Sequence, residues 1–490
     1  MKALSIGNCS RGNSLLEVLI AFALLTLSMS AVLVAVLGSQ ALVIDGHLAS
    51  EALGYVQHNL EETRAHAQSN FLAIQSTTTT ETRTGVVYTN TLLVADLTRC
   101  KKQATSTVSW LLGARSVRAE LSTFLSDVQS ATKLGGDCIA DIPTGNWLTP
   151  KVFASSTMVG KPTAIDALNS TLYIGGTVAP YFFIANTTST TSSFVTFANL
   201  FGLGAPTAAL DAVLWRSGAV TKTYVYVLLN ASSSQLAVVD VTNIYNPILV
   251  ATRTLKNVDP LGSQPAGYKI MYYANRLYVL TKETKGPELH TFDVTHPTSP
   301  TELGAGIELG ITANDFALQD QWVGGSVKRF LYLATSQVGA EVKVYDVTDA
   351  GGTGSAIEIV AARQDLPGSQ NGMSVYVVGA KLYVGRASTP TGPDLYVYDT
   401  NDPTHGLAML ASQDIGTGVE SILVAGHVAF LATPKSKKEL QVWDIANPTP
   451  VLISTYAVSG LVVGGFDYDA DVLYGTSQES GSLLVIESEI

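Results

Sequence analysis

The stretch VYDTNDPTHGLAMLASQDI, residues 397–415, recurs in outline along the second half of the chain. Each copy has a β-prone segment ending in aspartate, then a turn with Asn or Pro, then a second short β-prone segment. The other copies are VVDVTNIYNPILVATRTL (238–255), TFDVTHPTSPTELGAGIEL (291–309), VYDVTDAGGTGSAIEIVAA (344–362) and VWDIANPTPVLISTYAV (442–458). The anchoring aspartates are Asp240, Asp293, Asp346, Asp399 and Asp444, at spacings of 53, 53, 53 and 45 residues.

Two further β-prone segments precede each repeat of this kind. They are YKIMYYANRLYVLT (268–281), KRFLYLATS (328–336), MSVYVVGAKLYVGR (373–386), ESILVAGHVAFLAT (420–433) and FDYDADVLYGTS (466–477). Each repeat therefore has four short strands. A period of roughly 40–55 residues with four strands per repeat is the sequence pattern of a β-propeller.

Degenerate copies at both ends of this region complete the count. Asn186 takes the aspartate position 54 residues before Asp240, and Glu487 takes it 43 residues after Asp444. The last copy lacks a fourth strand, and PKVFASSTMVG (150–160) resembles the fourth strand of other copies. An N-terminal strand that completes the last sheet would remove its open edge. The fold class predicted is mainly β, with a seven-bladed β-propeller over residues 147–490.

The repeat resembles LVIVD-type propeller repeats, which are named for the strand ending described above. The resemblance covers about 340 residues and implies a fold, with little about chemistry. An aspartate at the end of a strand can accept backbone N–H bonds in the turn that follows. The five repeat aspartates are therefore interpreted as structural.

The N-terminal stretch MKALSIGNCSRGNSLLEVLIAFALLTLSMSAVLVAVLGSQALVID points to a membrane. Residues 18–44 are 27 consecutive uncharged positions, and a helix of that length is roughly 40 Å long. That is enough to cross a hydrocarbon core of about 30 Å with some tilt. Lys2 and Arg11 precede it without any acidic residue, which predicts a cytoplasmic N-terminus and export of everything after Asp45.

Residues 11–18, RGNSLLEV, resemble the cleavage motif of type IV prepilins. The resemblance implies cleavage by a prepilin peptidase after Gly12, which makes Asn13 the first mature residue. In this family the first mature residue is commonly N-methylated. Members of the family usually have Phe or Met there. Glu17 then becomes the fifth mature residue, the position at which the family has glutamate.

Glu17 has a role implied by the same resemblance. It would pair with the freed N-terminal amine of a neighbouring pilin subunit, since an acid at the edge of an apolar helix usually has a partner. The alternative is that Glu17 lies at headgroup depth in a plain membrane anchor. The expected location is the cytoplasmic membrane for the precursor, and the pilus or cell surface for the mature protein.

Three cysteines are present, and Cys9 would leave with the leader. Cys100 and Cys138 would remain, which suits one disulfide in an oxidising exterior. Spacing does not prove the bond, and two buried free thiols are the alternative.

The helix is predicted to continue to about residue 70. Leu48, Ala52, Tyr55, Val56 and Leu60 recur at helical spacing among polar residues. The run TTTTETRTG is interpreted as a polar loop, and the alternating segments after it predict a small antiparallel sheet against the helix. The predicted domains are a leader (1–12), a transmembrane and assembly helix (13–75), a small pilin-like β head (76–146) and the propeller (147–490).

Composition and motifs argue against nucleic-acid binding and catalysis. The 490 residues carry a formal net charge of −11, so the chain lacks a basic surface for DNA or RNA. The sequence shows no context for a Ser/His/Asp catalytic triad and no GxSxG or HExxH motif, so the chain is not expected to be an enzyme. His290 and His296 are expected at the surface. No cofactor is expected, with calcium at Asp467, Asp469 and Asp471 as a weak candidate because acids two apart can supply oxygen ligands.

Three functions remain open on these grounds. The first is a minor pilin that displays the propeller for adhesion or for binding a surface protein or glycan. The second is a pseudopilin of a secretion or DNA-uptake system, and the third, less favoured, is a membrane-tethered propeller enzyme. Propellers serve many functions, so the fold does not choose between them.

Overall fold

The computed structural model describes most of the chain after residue 13. The described residues are 14–69, 71, 74–83, 86–98, 101–112, 115–127, 146–157, 161–186, 195–199, 203–217, 220–258, 267–282, 285–323, 326–349, 356–378, 380–388, 392–445, 447, 449–458, 463–469, 471–477 and 482–489. The predicted leader, Gly12, Asn13, Cys100 and Cys138 lie outside them.

A single long helix, α1, runs from Ser14 to Ser69 over 56 residues and matches the helix predicted from residue 14 to about 70. Leu15–Leu37 is long and apolar enough to cross a membrane, and none of it is buried within the protein. Hydroxyl groups in this stretch donate to carbonyls one turn back, as Thr26 does to Phe22 at 3.0 Å. The hydroxyl groups of Thr26, Ser28 and Ser30 are thereby satisfied within the helix.

The second half of α1 is amphipathic. Leu48, Ala52, Val56 and Leu60 are buried, and their spacing of four residues places them on one face of the helix. This stripe is the one that the sequence pattern predicted.

A four-stranded antiparallel sheet, here called the head sheet, has its strands in chain order. Its strands are β1 (Thr77–Arg83), β2 (Val86–Thr98), β3 (Lys101–Leu112) and β4 (Arg115–Ser126). The prediction of a polar loop over TTTTETRTG was wrong for residues 77–83, which pair with β2 from Thr77↔Leu92 to Arg83↔Val86. Threonine is β-branched and suits an exposed edge strand, so high polarity alone did not indicate a loop.

One face of the head sheet packs aromatic and small side chains. Tyr88 and Trp110 are buried with ring centroids 6.0 Å apart, and Tyr55 of α1 lies 5.4 Å from Tyr88. The Tyr88 hydroxyl donates to Glu51 of α1 at 3.2 Å. Burial, followed by the hydrogen bond to Glu51, raises the pKa of Tyr88 to about 12.

The backbone contacts group the chain into two compact units. One comprises Met1–Thr63, Gln75–Val94 and Ala104–Thr123, and the other comprises Arg64–Ile74, Ala95–Gln103 and Phe124–Ile490. The division predicted at residues 13–75, 76–146 and 147–490 stays a prediction.

Seven further four-stranded sheets, numbered here 1 to 7, occur among the described residues. Sheet 1 has β6 (Pro162–Leu168), β7 (Thr171–Gly176), β8 (Phe182–Asn186) and β9 (Val195–Asn199); sheet 2 has β10 (Thr207–Ser217), β11 (Val220–Leu229), β12 (Leu236–Asp240) and β13 (Ile248–Arg253). Sheet 3 has β14 (Gly267–Tyr273), β15 (Arg276–Thr281), β16 (Leu289–Asp293) and β17 (Thr301–Ile307); sheet 4 has β18 (Ala313–Val323), β19 (Ser326–Thr335), β20 (Val342–Asp346) and β21 (Ile357–Glu358). Sheet 5 has β22 (Gly372–Val378), β23 (Lys381–Arg386), β24 (Leu395–Asp399) and β25 (Ala408–Gln413); sheet 6 has β26 (Ser421–Ala425), β27 (Val428–Ala432), β28 (Leu440–Asp444) and β29 (Val451–Tyr456). Sheet 7 has β30 (Val463–Asp469), β31 (Val472–Ser477), β32 (Ser482–Glu489) and β5 (Asn146–Thr157), and 3-10 turns lie at Val360–Ala362 and Pro403–His405.

Sheet 7 is completed by a strand from the other end of the repeat region. β5 pairs antiparallel with β32, from Ser482↔Thr157 to Glu489↔Asn146. This is the closing strand that the sequence predicted at 150–160, shifted by a few residues toward the N-terminus. The Lys151 ammonium also contacts the Glu489 carboxylate at 2.8 Å.

The core lies between neighbouring sheets. The first strands contact one another in the order β6, β10, β14, β18, β22, β26 and β30, and β30 contacts β6. Third strands such as β12 and β20 are buried at every position before the final aspartate, whereas fourth strands such as β25 and β29 are largely exposed. Sequences such as LAVVD and VKVYD are continuous apolar runs because both faces of the strand are covered. The fold is mainly β and propeller-like, with one N-terminal apolar helix.

Candidate functional sites in the helix and the repeat sheets

Glu17 lies in the first turn of α1 and is exposed. A carboxylate in the first turn of a helix interacts favourably with the helix dipole. Its neighbours in sequence, Leu16 and Val18, expose more than half of their side-chain surface. The acid therefore stands in an uncovered apolar surface.

The repeat aspartates end the third strands, as the sequence pattern predicted. Among the described residues, four of these aspartates accept the backbone N–H two residues on through a side-chain oxygen, at 2.8–3.0 Å, which is the geometry of an Asx turn. These pairs are Asp240 with Thr242, Asp293 with Thr295, Asp346 with Thr348 and Asp399 with Asn401. Asp444 occupies the same place at the end of β28 and pairs with Val428 and Val451 in the ladder.

Two of these aspartates also bind lysine. Asp240 accepts from Lys222 at 2.8 Å, and Asp346 accepts from Lys328 at 3.2 Å. Burial raises the pKa of Asp240 and of Asp346, but the hydrogen bonds outweigh it, so that both pKa values lie below the ordinary range. The Thr295 backbone N–H lowers the pKa of Asp293. The aspartates therefore act as ionised turn acceptors.

A second series of polar residues, which the sequence reading missed, lies five positions before each repeat aspartate. Each accepts a backbone N–H from the chain that leaves the fourth strand of the same sheet. The pairs are Gln235 with Leu255, Glu288 with Leu309, Glu341 with Leu366, Asp394 with Thr417 and Glu439 with Val458, at 2.7–3.2 Å. The sequence does contain a signal for this series, because a polar residue recurs five positions before every repeat aspartate.

Aspartates on the first strands join neighbouring sheets. Asp166 of sheet 1 accepts the Ala212 N–H of sheet 2 at 2.5 Å, and Asp211 of sheet 2 accepts the Tyr272 N–H of sheet 3 at 2.7 Å. Asp467 of sheet 7 accepts the Ala167 N–H of sheet 1 at 2.6 Å. The three bonds follow one another across four consecutive sheets.

The weak calcium candidates therefore have other partners. Asp469 accepts the Ser170 N–H at 2.7 Å, and Asp471 accepts from the Tyr468 hydroxyl at 2.8 Å, while Asp467 takes the bond across sheets described above. Asp467 and Asp469 both reach sheet 1, as expected for alternate residues of one strand. Among the described residues, no three His, Cys, Asp or Glu side chains lie close enough to hold a metal ion. Calcium binding stays a prediction.

His290 was expected at the surface, and this was wrong because it is fully buried. Its Nδ1 lies 2.7 Å from Glu302 Oε1, and its Nε2 lies 3.0 Å from the Pro287 carbonyl. His296 is exposed as expected. The expectation failed for His290 because a buried acceptor 12 residues away was not visible in local sequence.

A groove of about 360 Å³ lies between the outer strands of sheets 5 and 6. Its lining residues are Gln413, Asp414, Ile415, Lys438, Gln441, Trp443, Pro450, Val451, Leu452 and Thr455. Trp443 is nearly buried and donates its indole N–H to Gln441 Oε1 at 3.1 Å. Val451 and Leu452 expose 58% and 44% of their surface, so the lining combines exposed apolar side chains with polar ones such as Gln413 and Lys438.

The chain has only low similarity to known proteins. No protein-family model matches the chain, and no curated protein does. Among solved structures, a chain of a mitotic checkpoint complex is 12% identical with a TM-score of 0.47, covering 72% of this chain and 97% of its own. A candidate 6-phosphogluconolactonase from Bacteroides fragilis is 11% identical with a TM-score of 0.43, covering 71% of this chain and 88% of its own.

Proposed function

We propose that the chain is a minor type IV pilin-like subunit that displays a seven-bladed β-propeller at the cell surface. The observation that carries the proposal is the division of α1 into an uncovered apolar half, Leu15–Leu37, and a half whose stripe from Leu48 to Leu60 is buried. Gly12 lies three residues before that apolar half, and Glu17 is the third residue within it. A membrane anchor that continues as a packed helix suits a subunit that leaves the bilayer to join a helical filament core.

The propeller part of the proposal rests on the seven four-stranded sheets. Their first strands contact one another in a closed order, and an N-terminal strand completes sheet 7. Each sheet would be one blade, and the mixed sheet would close the ring. A module of about 340 residues on every subunit would crowd a filament, which favours a low copy number near the tip.

The partners follow from this role. Prepilin peptidase would act on Gly12–Asn13, the inner membrane would hold the precursor, and other pilin subunits would meet Glu17. A surface protein or glycan would bind the propeller, and the groove between sheets 5 and 6 offers one such surface. No enzyme activity or nucleic-acid binding is proposed.

Mass spectrometry of the protein's N-terminus in a sheared surface-filament fraction tests the proposal. We expect a mature form that starts at Asn13. Replacing Glu17 by Ala should leave cleavage intact but remove the protein from filaments, and the neighbouring Ser14→Ala variant serves as the control. An uncut leader in the membrane fraction, with no protein in filaments, would contradict the proposal.

A further inference from the structure

Arg386 departs from the repeat at a fully buried position. It ends β23 of sheet 5, and its backbone N–H donates to the Asp394 carbonyl at 3.0 Å. Thr281, Thr335 and Thr433 make the equivalent backbone bond in sheets 3, 4 and 6. Sheets 3, 4 and 6 thus have threonine where sheet 5 has arginine, and sheet 2 has Leu229 there.

The threonines need no outside partner. Their hydroxyl groups donate to nearby carbonyls, with Thr335 bonding Ala340 at 2.7 Å and Thr433 bonding Lys438 at 2.7 Å. A short neutral side chain therefore satisfies itself at this position in the neighbouring sheets. An arginine brings a positive charge and five N–H donors to the same buried place.

Only one end of the Arg386 guanidinium is satisfied. Nη1 donates to the Pro367 carbonyl at 2.6 Å and to the Tyr396 hydroxyl at 3.2 Å. Nε and Nη2 are buried and have no hydrogen-bond acceptor among the described residues. These two atoms form the side-on edge of the guanidinium, which binds the two oxygens of a carboxylate in parallel.

Leaving that edge without an anion destabilises the fold, because a buried charge without a partner is costly. Local rules are most often broken where a protein needs the exception for its function. We therefore propose that Arg386 anchors a binding site for a carboxylate carried by an external ligand.

The cover of the site is a short exposed turn. Pro367, Gly368 and Ser369 are exposed, and Gly368 has a φ of +102°. A Cβ on Gly368 would lie 3.2 Å from Arg386 Nη2, so the turn meets the guanidinium at Gly368 as well as at the Pro367 carbonyl. A ligand reaches the side-on edge beside Gly368 when this turn moves outward.

The charge of the protein narrows the ligand class. With a formal net charge of −11, the protein repels a polyanion such as an acidic peptide segment or a nucleic acid. One buried guanidinium suits a ligand that carries a single carboxylate and no other charge. An acidic sugar residue, such as a uronic acid, has that chemistry.

This inference rests on the binding role in the proposed function and is independent of the filament location. Its test uses the full chain in detergent micelles, with D-glucuronate as the probe and D-glucose as its neutral counterpart at equal ionic strength. The measurement is the midpoint of thermal unfolding, supported by titration calorimetry.

We expect glucuronate to raise the midpoint by roughly 2–4 °C at about ten times the dissociation constant, and glucose to leave it unchanged. Arg386→Thr introduces the residue that sheets 3, 4 and 6 have at this position, so it should fold and lose the response. Arg363→Thr removes the same charge from an exposed arginine paired with Glu358 and should keep the response. Arg386→Lys retains charge without the fork and should respond more weakly.

Three results would overturn the site. They are no response of the wild-type chain to glucuronate, an equal response to glucose, and an undiminished response in Arg386→Thr. Because the wild-type response is decisive alone, the test does not depend on how well any variant folds. Its failure would leave processing at Asn13 and incorporation into filaments untouched, and those are measured separately.

Discussion

At the scale of single residues, the repeat region is organised by side chains that accept backbone N–H groups. Four repeat aspartates hold the turn after their third strands, and in sheets 2 to 6 the residue five positions before the aspartate holds the chain that leaves the fourth strand. The first series was predictable because Asx turns act over two residues. The second joins residues about 20 apart and was missed, although its offset from the aspartates is constant.

Glu288→Ala tests the second series. Glu288 is buried, and its carboxylate accepts from Leu309 at 2.7 Å and from Gly310 at 3.3 Å. Removing it leaves the buried Leu309 N–H without its acceptor, whereas Gly310 also donates to Glu308 at 3.2 Å, so we expect a loss of about 1–3 kcal/mol in the free energy of unfolding. Urea unfolding followed by tryptophan fluorescence measures it, with the exposed Glu308→Ala as control. Equal stability of the two variants would mean that the N–H groups find other acceptors.

The repeat aspartates also predict a dependence on pH. The folded-state pKa values of Asp240, Asp293 and Asp346 lie below their ordinary value. Their contribution is therefore complete above about pH 4 and is lost as the pH falls through the folded-state values. The triple Asp→Asn variant should lose less stability than the wild type between pH 5 and pH 3. The exposed Asp349→Asn variant should follow the wild type, and parallel curves for all three proteins would refute the prediction.

At the scale of elements, β5 is a strand from the N-terminal side of the repeat region that is incorporated into sheet 7. Its sequence resembles other fourth strands, and its pairing with β32 supplies the hydrogen bonds that the repeat lacks there. Trp147 anchors it between sheets 6 and 7, with its ring 4.7 Å from Phe430 and 6.2 Å from Tyr468. By contrast, β1 was misread as a loop because a threonine-rich edge strand has no buried face to reveal it.

Trp147→Ala should destabilise the repeat sheets by about 3–5 kcal/mol, since Trp147 is only 3% exposed and its removal leaves a cavity. Leu148→Ala is the matched control, because its side chain is 61% exposed and it should stay within about 0.5 kcal/mol of the wild type. Urea unfolding of the full chain compares the two. Similar midpoints for both variants would show that β5 does not belong to the cooperative unit.

At the scale of the whole molecule, an apolar helix and a large, acidic β region are joined in one chain. Leu15–Leu37 is uncovered, whereas most apolar residues of the repeat sheets are buried between neighbouring sheets and the exposed ones, such as Val451 and Leu452, are scattered on the outer strands. We therefore expect that only the N-terminal segment of the protein requires a membrane or detergent.

Removing residues 1–44 tests this. The shortened chain retains the buried stripe from Leu48 to Leu60, so it should move from the detergent phase to the aqueous phase in phase partitioning. The full chain should remain in the detergent phase because about 20 apolar residues suffice to span a bilayer. A shortened chain that still enters the detergent phase would reveal a second apolar surface.

The sequence by itself determined the apolar helix, its amphipathic continuation, the four-stranded period and the strand that completes sheet 7. Each of these is a pattern among consecutive residues or a repeat of one, so local order is enough to read it. Only the tertiary structure decided that Asp166 meets Ala212, that His290 is buried against Glu302 and that Arg386 has an unmatched edge. Those outcomes depend on which distant residues pack together, because burial and hydrogen-bond partners are properties of the assembled sheets.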